Sequence, residues 1–484
     1  PYSLPERKAL GLKMIMEKMP LFIGEEELIV GTRTFFKPNP GNEDGHDRFE
    51  YSLYSGVPYV NQKDIQLFGC DQSWVNKTHY TPDFSILLEK GVGGILASAE
   101  ERKKDPALTQ CQREFLSSVI IAYTGLQTLI LRYGDYAAEL ARKAEGEEKA
   151  RLSEIASVCR KISAQPPETF RESVQLLWFG HLGTILESFE FINYGRLDVI
   201  LGKYLGDTPR EEAQRLLECL LLKMYDQTDL NTTYLNKYAA QLVVTLGGVL
   251  ENGENAVNEV SMLFLDAIDS VRLPEPEFNL RINSKNPPEF LERAAKLSIS
   301  GCNFVSYYND DLFVESMSKA GLPVEIARQY GFDLCQDINI PGKSDFYVAA
   351  DISLSHILLD LLNQNMHFST FDQLFQAYKE KIAANIRESA EKFNQAQEHL
   401  MKFREERFDE YFADIREKGL PADWYGRSPM CPLPYLSGLF HGAVENAADM
   451  VYESYPVKEK GMMLGTSTEA LNSLAAIKKV VYDD

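Results

Sequence analysis

The segments Gln241-Leu242-Val243-Val244-Thr245-Leu246, Phe278-Asn279-Leu280-Arg281-Ile282 and Cys302-Asn303-Phe304-Val305-Ser306-Tyr307 decide the fold. Each is short, largely apolar and bears β-branched or aromatic residues, which suits a strand buried on at least one face. Helical patterns stand between and after them, near 255–272, 287–299 and 311–329. Strand, helix and strand at this spacing pair in parallel through right-handed crossovers. The expectation is therefore an α/β fold around a parallel sheet, with chemistry near strand ends and the loops that follow.

Toward the N-terminus, Phe115, Val119, Tyr123, Leu126, Ile130, Tyr133, Ala137 and Leu140 recur every three or four residues, the period of an amphipathic helix. Leu152, Ile155, Cys159 and Ile162 repeat the pattern, and Pro166-Pro167 ends it. Thr169 with Glu172 three residues on has the spacing of a capping box ahead of a helix through Val174, Leu177, Trp178 and His181. Residues 110–185 thus read as a helical layer, whereas Lys37 to Gly45 reads as a loop. Toward the C-terminus, 369–418 reads as helical and 430–484 as mixed, ending in a helix. No repeat, low-complexity tract or linker interrupts the chain, so residues 1–484 are expected to form a single α/β domain.

The 484 residues are about three times a typical domain, ample for a large core. Fifty Lys and Arg residues stand against 71 Asp and Glu, a formal charge of −21, with the acids spread along the chain. That balance argues against nucleic acid or an anionic membrane as partner. Apolar runs read as shorter than the ~20 residues that span a bilayer. Pro1-Tyr2-Ser3-Leu4 carries no basic-then-apolar leader, and the seven cysteines form no C-x-x-C pair, so a cytoplasmic setting is expected. There is no P-loop, no G-x-G-x-x-G after a strand and no H-E-x-x-H, and no metal ligand set is assigned. Isolated histidines such as His356 and His399 read as packed or solvated.

One short segment carries the reactive side chains: Phe332-Asp333-Leu334-Cys335-Gln336-Asp337. If it is extended, Cys335 and Asp337 point to the same face, and a thiol and a carboxyl share one cavity. The plainer reading makes Cys335 a small buried hydrophobe and Asp337 the cap of a turn. Spacing alone leaves both open.

The wider sequence resembles the glycyl radical enzyme family, the pyruvate formate-lyase-like proteins, over nearly its whole length. The resemblance is carried in order by Leu28-Ile29-Val30-Gly31, His79-Tyr80-Thr81-Pro82-Asp83, Pro166-Pro167-Glu168-Thr169-Phe170 and Trp178-Phe179-Gly180-His181-Leu182. It continues in Gly195-Arg196-Leu197-Asp198, Gly247-Gly248-Val249, Leu273-Pro274-Glu275-Pro276, Ser306-Tyr307-Tyr308-Asn309-Asp310 and Asn472-Ser473-Leu474-Ala475-Ala476. It implies a ten-stranded barrel of two parallel five-stranded halves ringed by helices, with a cysteine loop at about 331–340 reaching the interior. Cys335 falls on the family's thiyl-forming cysteine, which gives hydrogen to a backbone glycyl radical and then takes hydrogen from substrate. Eliminating members carry Cys-x-Glu, the Glu serving as base on a substrate hydroxyl. Here the matching residue is Asp337, about 1.5 Å shorter. Leu334 precedes Cys335 where pyruvate formate-lyase proper has a second cysteine, which disfavours acyl transfer.

The family's Arg-Val-x-Gly-Tyr-like radical loop is not found in these 484 residues, and Gly461 and Gly465 lack its flanking residues. The resemblance then implies a catalytic subunit with no directly bound cofactor. A separate small glycyl radical subunit, activated by a radical SAM enzyme, supplies the radical, and a homodimer is in keeping with the family. The expected activity is dehydratase- or lyase-type cleavage of a C–X or C–C bond in a small polar metabolite. The alternative is a radical-independent relative that binds a ligand or scaffolds a partner, and an incomplete gene product is a third. Arg196, Asn309 and Asp310 are the candidate substrate-binding residues. Their structural alternatives are an Arg196–Asp198 ion pair and a helix cap at Asp310 or Asp311. His181 and Trp178 read as core.

Overall fold

The computed structural model describes residues 2–38, 46–50, 80–187, 193–226, 242–302, 304–333, 337–344, 348–364, 367–402, 432–452, 454–458 and 461–483. Where the sequence suggested a single domain over 1–484, the chain gathers into two compact units. The larger comprises Pro1–Asp345 with Gly426–Lys458, the smaller Phe346–Tyr425 with Glu459–Asp484.

The larger unit begins with helix α1 (Leu4–Lys18) and a short antiparallel pair, β1 (Thr34–Pro38) and β2 (His46–Glu50). The helical layer follows as α2 (Phe84–Lys103), α3 (Gln110–Ala141), α4 (Gly146–Ile162) and α5 (Phe170–Glu187). Helix α3 buries the stripe read from the sequence, from Phe115 through Tyr123 to Ala137, against α1, α2 and α4. By length and composition alone α3 is apolar enough to cross a membrane, contrary to the sequence reading of its runs; 56% of that apolar window is buried inside the protein. Helix α5 opens with the expected capping box, the Glu172 amide donating to Thr169 Oγ1 and the Thr169 amide to Glu172 Oε2. Apart from Arg171 it is buried all round, the condition of a helix wrapped by others.

Four parallel strands form the sheet, in the order β3 (Gly195–Arg196), β4 (Val243–Gly247), β5 (Glu277–Ile282) and β6 (Val305–Asn309). Between them run α6 (Leu197–Gly202), α7 (Arg210–Asp226), α8 (Glu259–Val271) and α9 (Pro288–Ile299), and α10 (Asp310–Lys319) follows β6. The three strands read from the sequence are all present, shifted by one to three residues. The ten strands in two halves are not seen among the described residues, whose largest sheet has four.

The sheet has two unlike faces, as the alternation of strand side chains requires. Val244, Leu246, Phe278 and Leu280 enter the main core. Thr245, Asn279 and Arg281 occupy the alternate positions, and these polar side chains are also fully buried. Val243, on the polar side, joins a separate apolar cluster with Tyr330, Phe332 and Ile340. Tyr330 and Ile340 flank, and Phe332 belongs to, an antiparallel hairpin, β7 (Gly331–Phe332) with β8 (Ile338–Asn339), whose arms lead to Asp333 and Asp337 at its tip.

In the smaller unit β9 (Val348–Ser353) pairs in parallel with β10 (Gly461–Gly465). Ile352, Leu358, Leu361, Leu374, Tyr378 and Leu474 form its core. The helix expected over 369–418 is observed as Phe371–Lys402, and its remainder lies outside the described residues.

Candidate active site

The hairpin is held by side chains from three distant segments. The Phe332 amide donates to Thr245 Oγ1 at 2.9 Å, which ties β7 to the polar face of the sheet. Asp333, fully buried, accepts hydrogen bonds from the Asn193 and Asn339 amides, the latter at 3.0 Å. Asn339 Nδ2 also donates to Thr81 Oγ1 at 2.8 Å, and Asn193 Oδ1 accepts from the Val243 amide at 2.9 Å. The tip closes on itself where the Asp333 amide donates to the Asp337 carbonyl at 2.8 Å. Phe332 packs against Tyr308 with ring centroids 3.9 Å apart.

Leu334, Cys335 and Gln336 lie outside the described residues, so the expectation for Cys335 meets no geometry here. Asp337 is described. It is half-buried, and loss of water pushes its carboxyl up to about 7 from the ordinary 3.8. A carboxyl poised there exchanges a proton readily near neutrality.

The three candidate substrate-binding residues stand at the C-terminal ends of the strands. Arg196 is buried, and its guanidinium donates to the Gly247 carbonyl at 2.8 Å and the Arg328 carbonyl at 3.1 Å. Burial, helped by the nearby Arg281 charge, brings it down to about 9. Asp198 accepts from the Gly247 amide at 2.7 Å and the Ser261 hydroxyl at 2.7 Å. Arg196 and Asp198 thus bind opposite ends of the Gly247 residue instead of forming the suggested ion pair. Only glycine fits at 247: φ is +79°, and a Cβ there would stand 2.7 Å from the Arg281 carbonyl oxygen.

Asn309 caps α10, its Oδ1 accepting from the Leu312 amide at 3.1 Å. The cap falls before both positions read from the sequence, Asp310 and Asp311, because Asp310 is engaged elsewhere. Asp310 forms a fully buried ion pair with Arg281 at 2.7 Å and accepts from Asn283 at 2.9 Å. Arg281 also donates to the Tyr330 and Arg328 carbonyls at 2.7 and 2.9 Å. Asn309 and Asp310 therefore do structural work, while Arg196 faces a cleft.

That cleft, about 810 Å³, is lined by Asp83, Arg196, Lys203, Gln329, Lys343 and His441 among others. Its walls are tied by His441–Asp83 at 2.8 Å, Lys203–Glu89 at 2.7 Å and Lys343–Gln329 at 2.5 Å. Pro341, just beyond the hairpin, forms part of the lining. His181 is core as read: it stacks on Tyr194 at 4.2 Å, and burial lowers it to about 3, which keeps the ring neutral. Among the described residues no group of three His, Cys, Asp or Glu side chains is placed to hold a metal. The residues missed from sequence are Thr81, Asn193, Asp333 and Asn339. The signal was an aspartate directly after Tyr330-Gly331-Phe332, a charge where apolar neighbours call for burial.

With this geometry in place, comparison with known proteins gives the family. A family model described as pyruvate formate lyase-like matches residues 70–484, and the chain belongs to that family. Trans-4-hydroxy-L-proline dehydratase of Clostridioides difficile is 27% identical over 403 residues, 76% of this chain and 47% of that protein. (2S)-3-Sulfopropanediol dehydratase of Klebsiella oxytoca is 24% identical over 488 residues, 94% of this chain and 54% of that one. The chain thus spans about half the length of these curated relatives. Among solved structures, the glycerol-bound B12-independent glycerol dehydratase from Clostridium butyricum superposes with a TM-score of 0.77 at 25% identity, covering 100% of this chain and 67% of that one. The α/β fold of the glycyl radical enzymes is therefore the fold of this chain.

Proposed function

We propose that this chain carries the thiol-radical machinery of a glycyl radical lyase that removes a leaving group from a small, hydroxylated metabolite. The observation that supports this most is Asp337, two residues after Cys335 in the sequence, half-buried where a hairpin anchored by buried hydrogen bonds closes, with its carboxyl pushed up to about 7. In this reading the Cys335 thiol gives up a hydrogen atom and, as a thiyl, takes one from the substrate carbon. Asp337 then takes the proton of the neighbouring hydroxyl, which helps expel the leaving group from the adjacent carbon. The thiol returns its hydrogen to the product. A glycyl radical supplies the initial hydrogen abstraction, from a loop that is not among these 484 residues; in the two-component reading a separate small subunit bears it and a radical SAM enzyme activates it.

Arg196 presents positive charge to the cleft and serves a polar substrate there, while Asn309 and Asp310 hold the wall behind it. The four strands belong to one half of the family's two-halved barrel in this reading. Dehydration is favoured over other cleavages because the relatives named above are dehydratases of 4-hydroxyproline, sulfopropanediol and glycerol.

The test is anaerobic reconstitution with the activating enzyme and radical-bearing partner, offering glycerol, trans-4-hydroxy-L-proline and sulfopropanediol. Turnover of any of them that disappears in Cys335→Ala supports the mechanism, and turnover surviving that substitution ends it. Native mass spectrometry of the complex from its source decides the two-component part. A second, smaller chain supports it, and one longer polypeptide carrying both elements removes it.

A further inference from the structure

We infer that Asp333 is a positioning residue, the hub of a carboxyl–amide cage that locks the two arms of the hairpin in a single register and so fixes where Asp337 is presented. The inference rests on the role proposed for Asp337. Asp333 is fully buried, and a buried carboxyl is costly unless its oxygens are satisfied. Here they are: Oδ1 accepts from Asn193 and Oδ2 from Asn339. Each amide is tied a second time, Asn193 through Oδ1 to the Val243 amide and Asn339 through Nδ2 to Thr81 Oγ1. The Asn193 amide N–H itself donates to the Tyr80 carbonyl at 2.8 Å. One carboxyl thus joins both arms of the hairpin to the segment at Tyr80-Thr81 and to the edge of β4.

Apolar side chains of like volume at 333, 193 and 339 together would fill this space without a desolvation cost, so stability alone does not account for the polar cage. Register does. A strand slipped by one residue turns every side chain to the opposite face, and here a slip would break the hydrogen bonds of Asp333, Asn339 and the Phe332 amide together. Proton transfer needs heavy atoms held within about 2.6 to 3.2 Å, and drift of an ångström costs orders of magnitude in rate. A two-stranded hairpin of this size does not hold such tolerance by its own ladder. The cage provides the tolerance by bonding the hairpin to parts of the fold that are already rigid.

The experiment uses the purified chain and reads two things that do not depend on turnover. One is peptide-resolved hydrogen–deuterium exchange across 331–340. The other is the rate of Cys335 alkylation by iodoacetamide, with the buried Cys159 as internal reference. Asp333→Asn is expected to raise exchange about tenfold and to shift the Cys335 rate by a similar factor, the loss of hydrogen bonds to a carboxyl. Cys159 is expected to stay unreactive. Adding Asn339→Asp returns a carboxyl to the cage from the other arm and is expected to bring both readouts to within about threefold of the parent. If Asp333→Asn leaves exchange and alkylation unchanged, or if both rise and the double variant gives no rescue, the inference is wrong. Should Asp333→Asn fail to fold, Thr81→Val decides: it removes only the outer tie, and exchange unchanged from the parent overturns the cage. Loss of turnover in Cys335→Ala with normal exchange in Asp333→Asn would keep the thiyl reading and remove this one. Survival of turnover in Cys335→Ala with the cage effects intact would do the reverse.

Discussion

The two faces of the β3–β6 sheet are built from the same strands by opposite rules. One face, Val244, Leu246, Phe278 and Leu280, is apolar and joins the main core shared with α8 and α9. The other, Thr245, Asn279 and Arg281, is as thoroughly buried yet polar. Burial of the first is favourable for any side chains of suitable volume. Burial of the second is costly unless hydrogen-bond partners arrive from elsewhere, and for two of its three side chains they do: the Phe332 amide reaches Thr245, and Asp310 with two carbonyls reaches Arg281, while the side chain of Asn279 stays without a hydrogen-bond partner among the described residues. The apolar face carries the stability of the fold, and the polar face carries its geometry.

That contrast sets the scale of what substitutions should do. Under the proposed mechanism Asp337→Asn removes the base and is expected to lower turnover about a thousandfold, within the range of general acid–base catalysis. In the parent, turnover should rise with pH through about 7 as Asp337 loses its proton and becomes a base, and the Asn variant should be flat across that window. The sign for stability is opposite. Burial raises the folded-state carboxyl above its unfolded value near 4, so its contribution is full below about 4 and is lost as pH climbs toward 7. Urea midpoints of parent and variant, measured from pH 4 to 7, should converge or cross accordingly.

Next in size is Asp310→Ala, which strands Arg281 in the interior and should cost about 3 to 5 kcal/mol in urea unfolding. Replacing both partners, as Arg281→Met with Asp310→Leu, should recover most of that loss while disturbing the strand ends. Recovery of stability without any effect on the cleft would show that the polar face needs no specific partners. On the apolar face Leu280→Ala should cost about 3 kcal/mol and leave the Asp337 pH profile in place. A changed profile there would mean the faces are coupled. Smallest is Thr245→Val, which removes the acceptor for the Phe332 amide and should cost about 1 kcal/mol, with increased exchange confined to the hairpin.

The apolar face was also the part readable in advance. Its strands stand within three residues of the segments that Val243, Phe278 and Val305 mark, and the helical layer follows the spacing of Phe115 to Ala137, because period and burial are local properties of a sequence. The polar face was not. Asp310 looked like a helix cap, and only the arrival of Arg281 from β5 explains why the cap moved to Asn309. Arg196 and Asp198 looked like partners by proximity in sequence, yet each binds Gly247 from the neighbouring strand. Asp333 drew no reading of its own from the sequence, and its role shows only with Asn193 and Asn339 beside it. In each case the deciding contact is tertiary, and spacing along the chain does not encode it.

The anchoring of the hairpin has a consequence for the order in which this protein comes into being. The Thr81–Asn339 bond spans 258 positions of chain, the Asn193–Asp333 bond 140 and the Thr245–Phe332 bond 87. Contacts this remote close late, since the entropy of the intervening loops must be overcome before they form. A ribosome-bound or partly folded chain therefore lacks the anchored hairpin, and the seating of Asp337 against Asp333 is among the last features acquired. Assembly of the larger unit thus acts as its own quality gate: a chain that stalls short of it has no fixed hairpin.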